Sequence, residues 1–105
     1  MAGYAAVKAA VIDVIDDFTK KDVLANYKPK GQATYNAKTK LVSLAINETT
    51  LAAMETRFNK ALSKVCGVGW KNVGAFDMVK QATIGDLIWL ACAASNTRVP
   101  AGEPT

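Results

Sequence analysis

Three closely spaced aspartates, Asp13, Asp16 and Asp17, are the first side chains in this 105-residue sequence that could carry out chemistry. A pair of neighbouring carboxyl groups can serve as a general acid and a general base. Asp13 and Asp17 are four positions apart in a predicted helix, however, so both are expected to face water. The chain contains no histidine, which excludes histidine-based triads and the usual zinc patterns. Because no nucleophile stands near a base, we predict that the protein is not an enzyme and has no metal site.

Two cysteines, Cys66 and Cys92, are the other reactive side chains. They do not form a C-x-x-C pair, which is the usual pattern of thiol redox and zinc sites. Cys92 lies in the apolar segment IWLACAA, where a buried and unreactive thiol is expected. Cys66 opens a glycine-rich turn and is expected to be more exposed. We expect no disulfide between them in a reducing compartment.

The N-terminal segment does not have the features of a secretory signal. Lys8 and the three aspartates interrupt its apolar residues, whereas a signal peptide has a basic start and then an uninterrupted apolar block. The sequence also lacks an apolar run of about 18 residues, the length needed to cross a membrane. We therefore predict a cytoplasmic protein that does not bind membranes.

Lysines are concentrated between positions 20 and 40, where Asp22 is the single acid. The six are Lys20, Lys21, Lys28, Lys30, Lys38 and Lys40. With Tyr27 and Tyr35 as stacking groups, this basic loop could bind nucleic acid. A solvated lysine-rich loop explains the same composition, and arginine, the main base-reading residue, is scarce. Weak nucleic-acid binding is therefore an alternative function and not the favoured one.

Large aromatic side chains indicate the favoured function. Trp70, Phe76 and Trp89 supply more apolar surface than a small core requires, and tryptophan is enriched at the centres of protein interfaces. Trp89 falls on the opposite side of its predicted helix from Ile84, so it could cover a second core surface or anchor a partner. We predict a small non-enzymatic protein-interaction module of the regulatory or inhibitor type, which binds another protein or a second copy of itself. The predicted contact residues are Trp70, Trp89, Lys28, Lys30, Lys38 and Lys40.

The scaffold that must position these residues is predicted to be mainly helical. Apolar residues recur at steps of three or four from Tyr4 to Phe18, which indicates one amphipathic helix. The clearest helix starts near Asn47, a good N-cap, and ends at Gly67. Another begins at Thr83, which forms an approximate capping box with Asp86. Together they predict a bundle of three to four helices in a single domain, residues 1–97.

The connecting segments are less regular. A long loop with a turn at KPKGQ follows the first helix. Residues 33–46 alternate in part, with Val42, Leu44 and Ile46 on one side, so this segment could form a short strand or hairpin, or open a helix. Residues 98–105 contain two prolines and are predicted to form a loose tail.

Three segments resemble helices of acyl carrier proteins. AVKAAVIDVI is similar to the first carrier helix and LAAMETRFN to the second. VKQATIGDLIWLA resembles the last helix, which opens with T-V-x-D-L in carriers. These segments cover about a third of the chain. The resemblance implies a carrier-like helical fold, and in working carriers a phosphopantetheine arm is attached to a serine at the start of the second helix.

Ser43 is the attachment residue that this resemblance implies, so a divergent acyl carrier is a second alternative, with phosphopantetheine as its cofactor. The sequence departs from the family in two ways. First, the serine motif differs: Val42 stands where carriers have an aspartate, and Ser43 lies about one helical turn before the apparent helix cap. Second, the net charge is +4, whereas carriers are acidic and their partner enzymes recognise that charge. We therefore predict a carrier-like fold without carrier chemistry and without a cofactor.

Overall fold

The computed structural model describes residues 3–28 and 34–105. This part of the chain is mainly helical, which confirms the predicted fold class, and it contains five α-helices and two short 3₁₀ segments. The α-helices are α1 (Tyr4–Asp17), α2 (Val23–Asn26), α3 (Glu48–Cys66), α4 (Ala75–Met78) and α5 (Ile84–Ala94). The 3₁₀ segments are Leu41–Leu44 and Gly67–Gly69.

The longest helix, α3, forms where its sequence pattern predicts it. Asn47 caps its start, because the Asn47 side chain accepts a hydrogen bond from the backbone N–H of Thr50 at 2.9 Å. One face of the helix is buried, and it carries Leu51, Met54, Phe58 and Leu62. The helix ends at Gly67, whose φ of 66° is accessible to glycine at little cost.

The capping box predicted at the start of α5 is confirmed. The Thr83 side chain accepts a hydrogen bond from the backbone N–H of Asp86 at 3.1 Å, and Asp86 Oδ2 accepts one from the backbone N–H of Thr83 at 3.1 Å. Ile84, Leu87 and Ile88 are completely buried. This helix therefore packs one apolar side into the core, and its other side faces outward.

Helix α1 packs against both α3 and α5. Its buried residues include Val7, Val11 and Ile15. At its C-terminal end, Asp17 Oδ2 lies 2.8 Å from Arg57 Nη2, and Asp13 Oδ2 lies 3.6 Å from the same nitrogen. These two aspartates therefore pair with α3 rather than with the lysines that follow α1 in the sequence.

The strand or hairpin considered for residues 33–46 is wrong for the described residues 34–46. Leu41–Leu44 forms a 3₁₀ segment, in which Leu41 and Leu44 are buried three positions apart while Val42 is exposed. A strand needs a partner strand, but the described part of this segment makes only two isolated bridges, Tyr35 with Tyr27 and Lys40 with Thr83. The apolar residues that suggested a strand thus belong to a helical turn, which buries Leu41 and Leu44 on the same side.

The predicted loose tail needs a correction at its last three residues. Arg98 and residues 100–102 are exposed, but residues 103–105 are half-buried. Glu103 Oε1 accepts a hydrogen bond from Lys8 Nζ at 3.2 Å, and the Tyr27 hydroxyl donates to the carbonyl oxygen of Thr105. These contacts hold the segment against the helices, because Lys8 offers it a charge partner.

Within residues 3–28 and 34–105, none of the helices has the length and apolar character that crossing a membrane would require.

Candidate interaction surface

The structure divides the predicted contact residues into exposed and buried ones. Trp89 is 52 % exposed on the outer side of α5. The side chains of Lys28, Lys38 and Lys40 are also exposed. Lys30 lies outside the described residues. Trp89, Lys28, Lys38 and Lys40 thus stay available for a partner.

Trp70 is a core residue, so its predicted role in partner binding is wrong. It is only 9 % exposed, and its ring packs against Phe58 with centroids 5.9 Å apart. Its indole nitrogen donates a hydrogen bond to Asn59 Oδ1. A buried indole N–H normally has such a partner, and here the bond fixes the segment after α3 to that helix.

Three backbone hydrogen bonds hold the segment before the Leu41–Leu44 turn against the start of α5. The N–H of Gly85 donates to the carbonyl of Ala37 at 2.8 Å, and the N–H of Ile84 donates to that of Thr39 at 3.1 Å. The third runs from the N–H of Leu41 to the carbonyl of Ala82 at 2.9 Å. This pairing brings Lys38 and Lys40, which are distant from α5 in sequence, beside its first turn.

A shallow cleft of about 290 Å³ lies at one end of this pairing, and we name it the Trp89 cleft. Its walls include Lys38, Thr83, Asp86, Trp89 and Pro104. The carboxylate of Asp86 accepts the N–H groups of Ala82 and Thr83, so its charge is engaged at the positive end of α5. The cleft therefore combines an exposed indole with a lysine.

A second shallow cavity of about 340 Å³ lies at the other end of the pairing. Its lining includes Lys40, Val42 and Lys80, with one acid, Glu48. Lys80 Nζ also lies 4.2 Å from the ring centroid of Phe76, a close cation–π contact.

Phe76 and Val42 are both exposed apolar side chains. Phe76 is 74 % exposed on the four-residue helix α4, and Val42 on its 3₁₀ turn is 71 % exposed. Neither Val42 nor Lys80 was a predicted contact residue. No periodic signal in the sequence could have found them, because the backbone pairing of two distant segments brings them together.

These side chains line or adjoin the two cavities at the ends of one backbone pairing, and we name the set the Trp89–Phe76 surface. It consists of Trp89, Lys38, Lys40, Val42, Lys80 and Phe76, each of which is exposed. Lys38 lines the Trp89 cleft together with Trp89, whereas Lys40 and Lys80 line the second cavity and Lys80 contacts Phe76. Such a face can bury apolar area in its partner and attract acidic groups at the same time.

The two tyrosines of the basic loop have internal contacts. Tyr27 and Tyr35 are half-buried and form a parallel backbone bridge. The Tyr27 hydroxyl donates a hydrogen bond to the carbonyl of Thr105. Stacking of nucleic-acid bases requires an open ring face. The half-buried rings of Tyr27 and Tyr35 therefore do not favour the nucleic-acid-binding alternative.

Ser43 lies on the Leu41–Leu44 turn and not at the start of α3. Its side chain is exposed, and its hydroxyl donates a hydrogen bond to the carbonyl of Lys40 at 2.6 Å. Helix α3 begins five positions later, at Glu48. The hydroxyl is therefore open to solvent but is not placed at a helix N-terminus, where carriers have their attachment serine.

The remaining chemical candidates have structural partners. Asp13 and Asp17 pair with Arg57, and Asp16 accepts a hydrogen bond from the backbone N–H of Leu24 at 3.1 Å. In the part of the chain that the structure describes, no group of three or more acids and cysteines is placed to hold a metal ion. The aspartates thus connect α1 to its neighbours.

The two cysteines are free thiols in different environments. Cys92 is buried on α5, whereas Cys66 is half-buried at the end of α3. Burial raises the pKa of the Cys92 thiol, and the nearby Cys66 adds to the effect. A buried thiol with a raised pKa is a poor nucleophile.

Comparison of the chain with protein-family models, with curated proteins and with solved structures found no match. The resemblance to acyl carrier proteins therefore rests on the three sequence segments alone.

Proposed function

We propose that this protein is a small non-enzymatic interaction module that binds an acidic protein through the Trp89–Phe76 surface. The observation that carries the proposal is the exposure of Trp89 beside Lys38 in the Trp89 cleft. The other tryptophan, Trp70, is buried. The chain thus buries one indole in its core and presents the other at a cleft, where a partner can cover it.

Trp89 would supply the apolar part of the binding energy. A tryptophan side chain buries on the order of 200 Å² when it is fully covered, and Trp89 is 52 % exposed. At roughly 25 cal/mol per Å², covering the remaining area contributes about 2 to 3 kcal/mol. A contribution of this size is typical of an interface hot spot.

The lysines select the partner. Lys38, Lys40 and Lys80 present three positive charges. Two acids line the same cavities: Asp86, whose carboxylate caps α5, and Glu48. An acidic partner surface would be attracted to these lysines and a basic one repelled. We therefore expect association to weaken as salt concentration rises, because these charges are exposed to solvent.

A photoreactive amino acid in place of Trp89 tests the proposal in the full-length chain. Illumination in an extract of the source cells should cross-link a defined protein, and the yield should fall several-fold in a chain that also carries Lys38→Glu. Val68 offers a matched control, because it is 109 % exposed and follows the opposite end of α3 from Glu48. The 19-residue α3 is about 28 Å long, so Val68 lies far from Glu48 and from the cavity that Glu48 lines.

Two outcomes would reject this function. One is equal cross-linking from positions 89 and 68, which would indicate nonspecific contact. The other is no cross-linked species at either position. If the cross-linked protein is a second copy of the chain, sedimentation should show a dimer that Trp89→Ala dissociates.

Modification at Ser43 is a second candidate function, which the exposure of the Ser43 hydroxyl favours. A divergent carrier would gain a phosphopantetheine group on incubation with a phosphopantetheinyl transferase and coenzyme A. Intact-mass measurement detects that gain, and Ser43→Ala must abolish it. An unchanged mass for the wild-type chain rejects the carrier function.

A further inference from the structure

Three consecutive residues, Glu103, Pro104 and Thr105, each contact a different part of the domain. Glu103 pairs with Lys8 on α1 at 3.2 Å. Pro104 forms part of the wall of the Trp89 cleft. The carbonyl of Thr105 accepts a hydrogen bond from Tyr27. This short segment therefore connects the face of α1 with the cleft.

The Lys8 ammonium group is the fixed point of these contacts. Its side chain is only 17 % exposed, and Nζ lies 5.9 Å from the ring centroid of Tyr4 and 5.4 Å from that of Tyr27. Glu103 supplies the carboxylate for this ammonium group. A partly buried charge pair is screened by salt less than a fully exposed one, and removal of one partner leaves the other incompletely solvated.

The chain on the N-terminal side of Glu103 is poorly packed. Residues 100–102 are exposed, and an open cavity of about 630 Å³ lies beside Pro100 and Ala101. A second open cavity, of about 420 Å³, lies between Glu103 and the outer face of α1. The exposed residues 100–102 therefore contribute little packing, and the segment is held by the half-buried Pro104 and by the polar contacts of Glu103 and Thr105.

We propose that residues 103–105 form a releasable latch on the Trp89 cleft, held by the Glu103–Lys8 pair. In the latched state Pro104 narrows the cleft and limits access to Trp89. Release of Glu103 from Lys8 removes that wall. The regulatory meaning of the latch rests on the function proposed above, but the latch itself can be measured without a partner.

Quenching of tryptophan fluorescence by iodide in the full-length Glu103→Gln variant tests the latch. Trp70 is buried, so quenching reports mainly on Trp89. We expect the quenching constant to rise, by at most about twofold because Trp89 is already 52 % exposed. Lys8→Gln must give the same rise. Glu55→Gln is the matched control, because Glu55 is a half-buried glutamate that makes no ion pair within the described residues.

Amide relaxation in NMR spectra provides a second measurement on the same variants. In the wild-type chain the order parameters of Glu103 and Thr105 should be those of ordered backbone, about 0.85, and in Glu103→Gln they should fall below about 0.6. Order parameters that stay high in the variant would reject the Glu103–Lys8 pair as the latch. If Glu103 and Thr105 become mobile in the variant but iodide quenching of Trp89 does not change, Pro104 does not limit access to the cleft.

The two proposals fail in different ways. If the latch opens as expected but cross-linking from position 89 equals that from position 68, the interaction function is wrong and the latch stands. If cross-linking is specific but unchanged in Glu103→Gln, access to the cleft does not limit binding and the regulatory role is wrong. Both proposals together require more cross-linked partner from Glu103→Gln than from the wild-type chain at equal concentration.

Discussion

The indole nitrogen of Trp70 donates a hydrogen bond to Asn59 Oδ1 at a distance of 3.1 Å. The same Oδ1 accepts the backbone N–H of Val73 at 2.8 Å. Asn59 Nδ2 in turn donates to the carbonyl of Val73 at 2.8 Å and to that of Glu55 at 3.0 Å. One amide side chain on α3 thus satisfies three polar groups of the segment that leads to α4.

Replacement of Asn59 by alanine should therefore destabilise the fold. The change leaves the Trp70 N–H and both backbone groups of Val73 without their partners, and water can reach some of them because the site is partly buried. An unsatisfied group of this kind costs about 1 to 3 kcal/mol, so we expect a total loss of about 2 to 3 kcal/mol in the free energy of unfolding. Urea denaturation followed by circular dichroism measures it.

Asn72→Ala is the control for this substitution, since Asn72 is exposed on the same segment. It should change the free energy of unfolding by no more than about 0.5 kcal/mol. Equal stabilities of Asn59→Ala and Asn72→Ala would show that the amide of Asn59 does not hold the segment.

The different positions of Trp70 and Trp89 show where sequence reasoning reached its limit. Helix α3 and the capping box of α5 were predictable because their signals lie within a few residues of each other. The burial of Trp70 depends on Asn59, eleven positions away on the neighbouring helix, and no local pattern encodes that contact. The exposure of Trp89 was open to prediction, because it falls opposite the buried residues of its own helix.

The candidate surface was predictable in part for the same reason. Lys38 and Lys40 were noted from the local excess of lysine, and they are exposed. Val42 and Lys80 join them through the backbone hydrogen bond between Leu41 and Ala82, which links positions about 40 residues apart. Contacts between distant segments depend on the whole fold, so a single sequence does not reveal them.

Gly85→Ala should destabilise the protein even though alanine is the better helix former. A Cβ atom at position 85 would lie 2.9 Å from the carbonyl oxygen of Ala37 and 3.1 Å from its Cβ. The oxygen belongs to the backbone that accepts the N–H of Gly85, so the two segments would have to separate. Overpacking of this kind typically costs about 1 to 3 kcal/mol, against about 1 kcal/mol gained in helix propensity.

The expected net loss of unfolding free energy for Gly85→Ala is about 1 kcal/mol, which a thermal melt can detect. Gly69→Ala is the control, because a Cβ there meets no atom within 4 Å. A variant at position 85 that is as stable as wild type would contradict the close approach. Because the pairing positions Lys38, the variant should also weaken partner binding.

Thiol titration should distinguish the two cysteines. Cys66 is half-buried and should react with a disulfide reagent in the native protein, whereas Cys92 is 1 % exposed and its pKa is raised by burial. We therefore expect one fast thiol in native buffer and two in denaturant. Cys66→Ser should remove the fast phase and Cys92→Ser should leave it intact. Rapid reaction of both thiols in native buffer would place Cys92 at the surface.

The stability of the protein should fall in alkaline solution through the ionisation of Tyr27. Burial, with a smaller effect from the Glu103 carboxylate, raises the pKa of Tyr27 to about 12. An unfolded tyrosine has a pKa near 10, so above this pH the unfolded chain loses a proton that the folded chain keeps. The contribution of Tyr27 is complete below pH 10 and is lost as pH rises toward 12. Burial raises the pKa of Tyr4 as well, in the same direction.

The midpoints of urea denaturation between pH 9 and about pH 12 measure this effect. Lysines also titrate in this range, so the midpoints are compared with those of Tyr27→Phe, in which the lysines are the same. The variant loses the hydrogen bond to Thr105, so its midpoint should be lower than that of wild type at pH 9. The difference should then shrink with rising pH, because only the wild-type chain has the phenol at position 27 to ionise. Absorbance at 295 nm should show one late-ionising tyrosine fewer in the variant. A constant difference across this range would mean that Tyr27 ionises equally in the folded and unfolded chains, and so is not shielded beside Lys8 and Glu103.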